Sequence, residues 1–312
     1  MFRTHVSSFA GLPVRPFTPG MEVPADPSAV AWRLEVGDLG DEPEPEEFVA
    51  LVETMIKEVP AESVRAVVIG EWGMAYERPL PVELLVNAVS RWTGLRALFL
   101  ADLVSEQCEL SWLTHDDITG LLTACPQLET LWVRGGQDLR LDAVRHVGLR
   151  ELRFESGGLP GAVVRSVGEC DLPNLERLEM WLGRSDYGGD ATIHDLAPLL
   201  AGAGLPALRR LGLRNAAIAD VVARVVATAP VVSRLSVLDL SMGNLTDKGL
   251  TALLAGQPLT HLAELDLHHH YLSEPAQQRV VAALPGVRVD VSGGRAPHVY
   301  DGRTYRFTAA GE

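Results

Sequence analysis

The sequence predicts an α/β solenoid, a parallel sheet of about ten strands on one side and helices on the other. Two observations carry this reading. A six-residue pattern, apolar-x-x-apolar-x-apolar, recurs as LRALFL at 95–100, LETLWV at 128–133, LRELRF at 149–154, LERLEM at 175–180, LRRLGL at 208–213, LSVLDL at 235–240 and LAELDL at 262–267. Weaker copies are AWRLEV at 31–36, VRAVVI at 64–69 and LPGVRV at 284–289. Successive copies start 21 to 33 residues apart, room for one short strand and a helical return. The segments between copies carry the second observation, apolar residues at helical spacing.

Taken in order, residues 1–28 read as an N-terminal β cap, with short strands near 2–9 and 13–17 around Gly11. The repeats fill 29–292. Return helices are expected at 45–58, 81–91, 114–127, 159–168, 193–202, 218–228 and 274–283, with a single turn at 141–147, where the spacing is shortest. In LSVLDLSMGNLTDKGLTALLAGQP, Thr246 is a natural N-cap, Asp247 suits the positive helix end, and Leu250, Leu253 and Leu254 form an inward stripe. In 114–127, Thr114 is the expected cap and Pro126 the stop. SDYGGDAT at 185–192 reads as an insertion on the rim of the sheet. Residues 293–312 read as a C-terminal cap, because Asp301-Gly302 between β-forming runs signals a hairpin that would shield the last strand.

Repeats of about 27 residues with outer helices resemble ribonuclease-inhibitor-like leucine-rich repeats. That resemblance implies a horseshoe with the sheet on its concave face and helices on its convex face. The family places an asparagine shortly after the strand, whereas Gly243, Ala216 and His270 stand there in this chain, with Asn215 and Asn244 one residue off. A less regular turn ladder is therefore expected. With its GLPVRPF and DGRTYRF ends, the chain is similar to uncharacterised stand-alone bacterial leucine-rich-repeat proteins. This resemblance implies a binding module, or alternatively a regulatory subunit of a neighbouring peptide- or metabolite-modifying enzyme of ATP-grasp or radical type. It carries no catalytic residue across.

The formal charge of −14, from 41 acidic against 27 basic residues, disfavours a nucleic-acid partner, which needs a basic face to displace counterions. No stretch approaches the ~20 apolar residues of a membrane span, and the N-terminus lacks a signal-peptide pattern. Cys108, Cys125 and Cys170 are odd in number and widely spaced, with no pair for a disulfide cap. These features point to the cytoplasm. No cofactor motif is present, since the glycine-rich pieces lack the Lys-Ser/Thr setting of a phosphate loop.

Within each hexad the apolar residues point inward, so the third, fifth and seventh positions point to the opposite face. Those positions supply Trp132, Arg134, Arg153, Arg177, Trp181, Arg210 and Arg214 in the middle repeats. Trp and Arg commonly anchor interfaces. The reading is a protein- or peptide-binding face with the tryptophans as exposed anchors and the arginines reading acidic groups. Asp239, Asp266 and His268 extend it as an acidic end that sets orientation. A metal-assisted hydrolase using His268 with Asp239 and Asp266 is the least favoured reading, because no spaced metal motif accompanies them. His115-Asp116-Asp117 reads as the first turn of a helix rather than an acid–base cluster, so no catalytic residue is assigned.

Overall fold

The computed structural model describes residues 2–37 and 43–311. The chain divides into two compact units, one ending at Glu155 and the other spanning Ser156–Gly311. In the first, β1 (Ser8–Phe9), β2 (Leu12–Pro16), β3 (Ala31–Leu34), β4 (Ala66–Ile69), β5 (Ala97–Leu100), β6 (Thr130–Arg134) and β7 (Glu151–Glu155) lie side by side in chain order. The pair β1–β2 is antiparallel and every later pair is parallel. Parallel neighbours require a crossover, here provided by α1 (Pro45–Glu58), α2 (Val82–Arg91) and α3 (Thr119–Ala124) among the connections.

The second unit continues the alternation. Its order is α4 (Gly161–Glu169), β8 (Arg177–Trp181), α5 (Ile193–Ala201), β9 (Arg210–Arg214), α6 (Ala219–Val226), β10 (Val237–Asp239), α7 (Asp247–Leu254), β11 (Glu264–Asp266), α8 (Glu274–Ala283) and β12 (Arg288–Asp290). Strands β8 to β12 are parallel and adjacent in sequence order. A separate hairpin, β13 (His298–Tyr300) and β14 (Arg303–Tyr305), follows.

The helices form where apolar spacing and caps coincide. In α1, Phe48, Leu51, Val52 and Met55 are buried, and the Glu47 carboxylate accepts the Glu44 N–H at the start. Thr246 caps α7 by accepting the Lys248 N–H, and Leu250 and Leu253 are buried. Helix α3 begins five residues later than Thr114 predicts. Thr114 and Asp117 instead form parallel bridges to Gln137 and Arg140, which holds 114–117 extended. Asp117 then accepts the Thr119 N–H at 2.9 Å. The expected turn at 141–147 is replaced by extended chain and bends. His146 pins that chain, lying 3.1 Å from the Cys125 carbonyl through Nε2 and accepting the Leu149 N–H at Nδ1.

The strong hexads pair position for position, Leu98 with Leu131 and Leu131 with Leu152, and Leu211 with Leu238 and Leu238 with Leu265. The weak terminal copies are shifted by two residues. Ala31 pairs with Ala66 rather than Val64 with Ala31, and Val289, not Val287, pairs with Leu265. A slip of two preserves the face each side chain points to, because strand side chains alternate. At the C-terminal copy, Gly286 with φ 86° turns the chain after α8 and delays the strand.

The two terminal segments differ from expectation in what they cover. Strand β2 pairs with β3 and is joined to β1 through a turn at Ala10 (φ 50°) and Gly11 (φ 77°). The N-terminal segment also places Phe9 over the outward positions of the first unit, where Ala31, Ala66, Val68, Ala97 and Phe99 are all buried. The hairpin, expected to shield the last strand, stands in solvent on its own residues. All six of its strand residues are exposed. Residues 307–310 after it do pack. The Tyr271 hydroxyl accepts the Phe307 N–H at 2.7 Å, the Met242 carbonyl accepts the Ala309 N–H at 2.8 Å, and Asn215 bonds both N–H and C=O of Ala310.

Phe9 is 2% exposed and meets Phe99 and Trp132 at ring-centroid distances of 5.7 and 5.2 Å. Phe9→Ala is expected to destabilise the protein by about 3–5 kcal/mol through cavity formation. Urea unfolding followed by tryptophan fluorescence measures this, and a loss well under ~1 kcal/mol would mean that the segment does not hold the sheet face closed.

Candidate functional site

The outward strand positions fare differently in the two units. In the first, those of β3 to β5 are covered and the charged ones are internally paired, while Thr130, Trp132, Glu151 and Arg153 on β6 and β7 are half-buried. Asp102, fully buried just after β5, is the hub. Its carboxylate accepts from Arg33 (2.6 Å), Arg134 (2.9 Å) and the Val6 N–H (3.0 Å). Arg33 also donates to the Asp102 carbonyl at 2.8 Å and lies 2.7 Å from both His5 Nδ1 and Glu35 Oε2. Arg134 donates to the Leu103 carbonyl (2.9 Å) and to Glu155 (2.8 Å), with the Phe2 ring 3.6 Å from its guanidinium carbon. Arg153 pairs with the other Glu155 oxygen at 2.7 Å.

Two predicted site residues of this unit are therefore corrected. Arg134, 3% exposed, is a buried structural cation rather than a reader of partner acids. Trp132 is not an exposed anchor. Its ring packs against Phe9 and Phe99, Arg153 lies 4.7 Å above it, and its Nε1 donates to Glu151 at 2.9 Å. The residues missed were Asp102 and Phe9. The signal was present, because four successive outward positions, Ala66, Val68, Ala97 and Phe99, are apolar. Apolar side chains in sequence on a sheet face require cover.

In the second unit the outward positions form a charged strip across five adjacent strands. Trp181 is again corrected, since only 4% of it is exposed. Its Nε1 donates to Glu179 at 2.7 Å, and Arg214 lies 5.6 Å from its ring. Arg214 also donates to Glu179 at 2.6 Å and to Ser241 at 3.0 Å, and pairs with Asp239 at 3.2 Å. Burial pushes the Asp239 carboxyl up, opposed by Arg214. Arg177 and Arg210 are exposed at the start of their strands. Glu264 pairs with Arg288 at 2.5 Å, with Arg210 3.8 Å away.

The stacked aspartates have a structural reason. Asp239, Asp266 and Asp290 each accept the backbone N–H two residues on, from Ser241, His268 and Ser292. Each thereby bends the chain out of its strand. The next residue is left-handed in each case, Met242 (φ 67°), His269 (φ 54°) and Gly293 (φ 68°). Asp266 also faces the His268 Nδ1 at 2.8 Å. The metal-ligating trio that the structure brings together is Asp266, His268 and Asp290, with ligand atoms within 4.8 Å of one another. Asp239, which the sequence reading placed in that set, is not part of it and is engaged by Arg214. Asp266, His268 and Asp290 are the described residues that could hold a divalent cation.

Two further histidines, His270 and His115, are structural. His270 is fully buried, 2.9 Å from the Val291 carbonyl through Nε2 and accepting the Leu272 N–H at Nδ1. His115, expected on a helix, lies buried beside β6 with Nε2 2.7 Å from the Arg134 carbonyl. Burial lowers its pKa to about 4. The cysteines are buried, and burial pushes the thiols of Cys108 and Cys125 up to about 12 and about 11. Neither offers a thiolate at neutral pH. Among the described residues, no helix is long and apolar enough to cross a membrane.

No family model matches the chain, and no curated protein matches it. Among solved structures, it is similar to a protein from Bacteroides fragilis determined by a structural genomics consortium. The two are 29% identical, with a TM-score of 0.75 over 84% of this chain and 74% of that one. A complex of TLR13 with single-stranded RNA aligns at 16% identity and a TM-score of 0.36, over 79% of this chain and 35% of that one.

Two stability predictions follow from the buried groups. Asp102→Asn leaves Arg33 and Arg134 without their shared countercharge and is expected to cost about 3–5 kcal/mol in chemical denaturation. His115 has a folded pKa near 4 against 6.5 when unfolded, so the unfolded chain binds the proton more tightly. Its contribution is full above pH 6.5 and falls as pH drops toward 4, by roughly 3 kcal/mol. Stability measured at several pH values in that window should be flatter for His115→Gln than for the unsubstituted protein. Equal slopes would refute the assignment.

Proposed function

We propose that the protein is a non-catalytic leucine-rich-repeat scaffold that binds a protein or peptide partner on the outward sheet face of its second unit. One observation carries this reading. The apolar outward positions of β3 to β5 in the first unit are covered by the chain's own N-terminal segment, whereas β8 to β12 present a contiguous, half-exposed to exposed strip of Arg177, Arg210, Arg214, Asp239, Glu264, Asp266 and His268. The strip carries both signs of charge, with cations predominating on β8 and β9 and carboxylates on β10 and β11, while Glu179 on β8 and Arg288 on β12 pair across strands with Arg214 and Glu264. Such a surface selects a partner by complementary charge pattern and fixes its orientation. The repeated hexads and their parallel pairing support the leucine-rich-repeat assignment. The burial of Trp181 and Arg134 and the packing of half-buried Trp132 against Phe9 and Phe99 move the anchors to the arginines at the strand starts and to His268.

Affinity capture from the native host, with the unsubstituted protein and an Arg177→Glu/Arg210→Glu variant, tests the site. The expected result is a partner retained by the first and weakened at least about tenfold in the second, with affinity falling as salt rises. Trp132→Phe, on the sheet face of the first unit, should retain the partner fully. Equal retention by the charge-reversed variant would move the site off this face.

A further inference from the structure

The exposed apolar side chains are most concentrated at the hairpin. Of the ten large ones on the surface of the described residues, Val299, Tyr300, Tyr305 and Phe307 lie on or beside the hairpin, and Val49 lines a groove of the first unit. The hairpin is well formed but has no core. Its turn takes φ 48° at Asp301 and 71° at Gly302, the backbone that suits a two-residue hairpin loop. Its register pairs His298 with Tyr305 and Tyr300 with Arg303, so both tyrosines, the histidine and the arginine share one face. Both ends are rooted, since the His270 carbonyl accepts the Arg295 N–H at 2.8 Å and Tyr271 accepts from Phe307. A two-stranded hairpin is marginal in water without a surface to cover it. A rigid face of tyrosine and arginine is also the composition of an interface anchor.

The groove lies between α1 and the long β4–α2 connection. Pro45, Val49, Trp72, Arg78, Pro79 and Pro81 line it, and it encloses about 240 Å³. It is pre-formed, because Trp72 is buried with Nε1 donating to the Arg78 carbonyl at 3.1 Å. Its proline and tryptophan lining suits an aromatic ring. Charge complements the hairpin. Glu44, Glu46 and Glu47 stand around Pro45 at the start of α1, in a chain of net charge −14. The segment 295–306 carries Arg295, Arg303 and Arg306 against Asp301 alone.

We propose that the chain self-associates head to tail. The Tyr300–Tyr305 face of one copy's hairpin docks in the Pro45–Val49–Pro79 groove of a second copy, with Arg303 over the acidic first turn of α1. The contact joins two different surfaces, so it closes into a dimer when reciprocal and extends otherwise. It is independent of the partner face on β8 to β12, and both test sites below lie off that face.

Sedimentation equilibrium of the full chain from about 1 to about 100 µM, the range of modest self-association, reads the assembly. The unsubstituted protein is expected to associate within this range. Tyr300→Ala/Tyr305→Ala and, separately, Val49→Glu should each weaken association at least tenfold, with unchanged far-ultraviolet circular dichroism because the changed side chains are exposed. The deciding arm mixes the two variants. One retains an intact groove and the other an intact hairpin, so the mixture should form a one-to-one complex that neither forms alone. Three results would overturn the proposal: an unsubstituted chain that stays monomeric at the highest concentration, association that survives either variant, or a mixture that remains monomeric.

Discussion

A carboxylate without solvent exposure needs its charge answered from within the fold, and Asp102 is answered from three separate stretches of chain. Arg33 comes from β3, Arg134 from β6, and the Val6 N–H from the N-terminal segment. Removing any one leaves charge stranded in a low-dielectric site, where the desolvation cost is several kcal/mol per ion. The network therefore sets the position of the N-terminal segment relative to the strands beneath it. Phe2 and Phe9 then close over the charges and the apolar outward positions of β3 to β5.

The second unit lacks such a cover. Most of its outward positions are charged rather than apolar, and it keeps them in water by pairing across strands, with Arg214 joined to Glu179 and Asp239, and Glu264 to Arg288. The strand-ending aspartates serve the backbone first, each accepting an N–H two residues on. This explains why like charges can stack on neighbouring strands. Each carboxylate is partly neutralised by the turn it makes, and His268 and Arg214 supply the remaining donors.

Buried histidines take over part of the role that asparagine has in the repeats this chain resembles. A neutral imidazole can donate from one ring nitrogen and accept at the other, and His270 meets both a carbonyl and an N–H in the turn beside it. Asn215 is freed for a different task, holding Ala310 through its amide oxygen and nitrogen. The C-terminal chain is thereby fastened along the ends of β9 to β11, while the hairpin before it stands clear.

Some of this was legible in the sequence alone. The hexads determined which residues form strands and which face each side chain takes, because alternation along a strand is fixed by covalent geometry. They did so even at 31–36 and 284–289, where the register slipped by two. Helix positions followed from apolar spacing and caps such as Thr246. What covers a face was decided only in three dimensions. Trp132, Arg134 and Trp181 point outward as their positions require, yet they are enclosed by Phe9, Phe2 or Arg214, residues 33 to 132 positions away in the chain. Asp117 and His146 likewise yielded to bridges and carbonyls on neighbouring segments. Periodicity reports direction, which is local; burial and charge pairing depend on long-range neighbours, and only the folded chain brings those together.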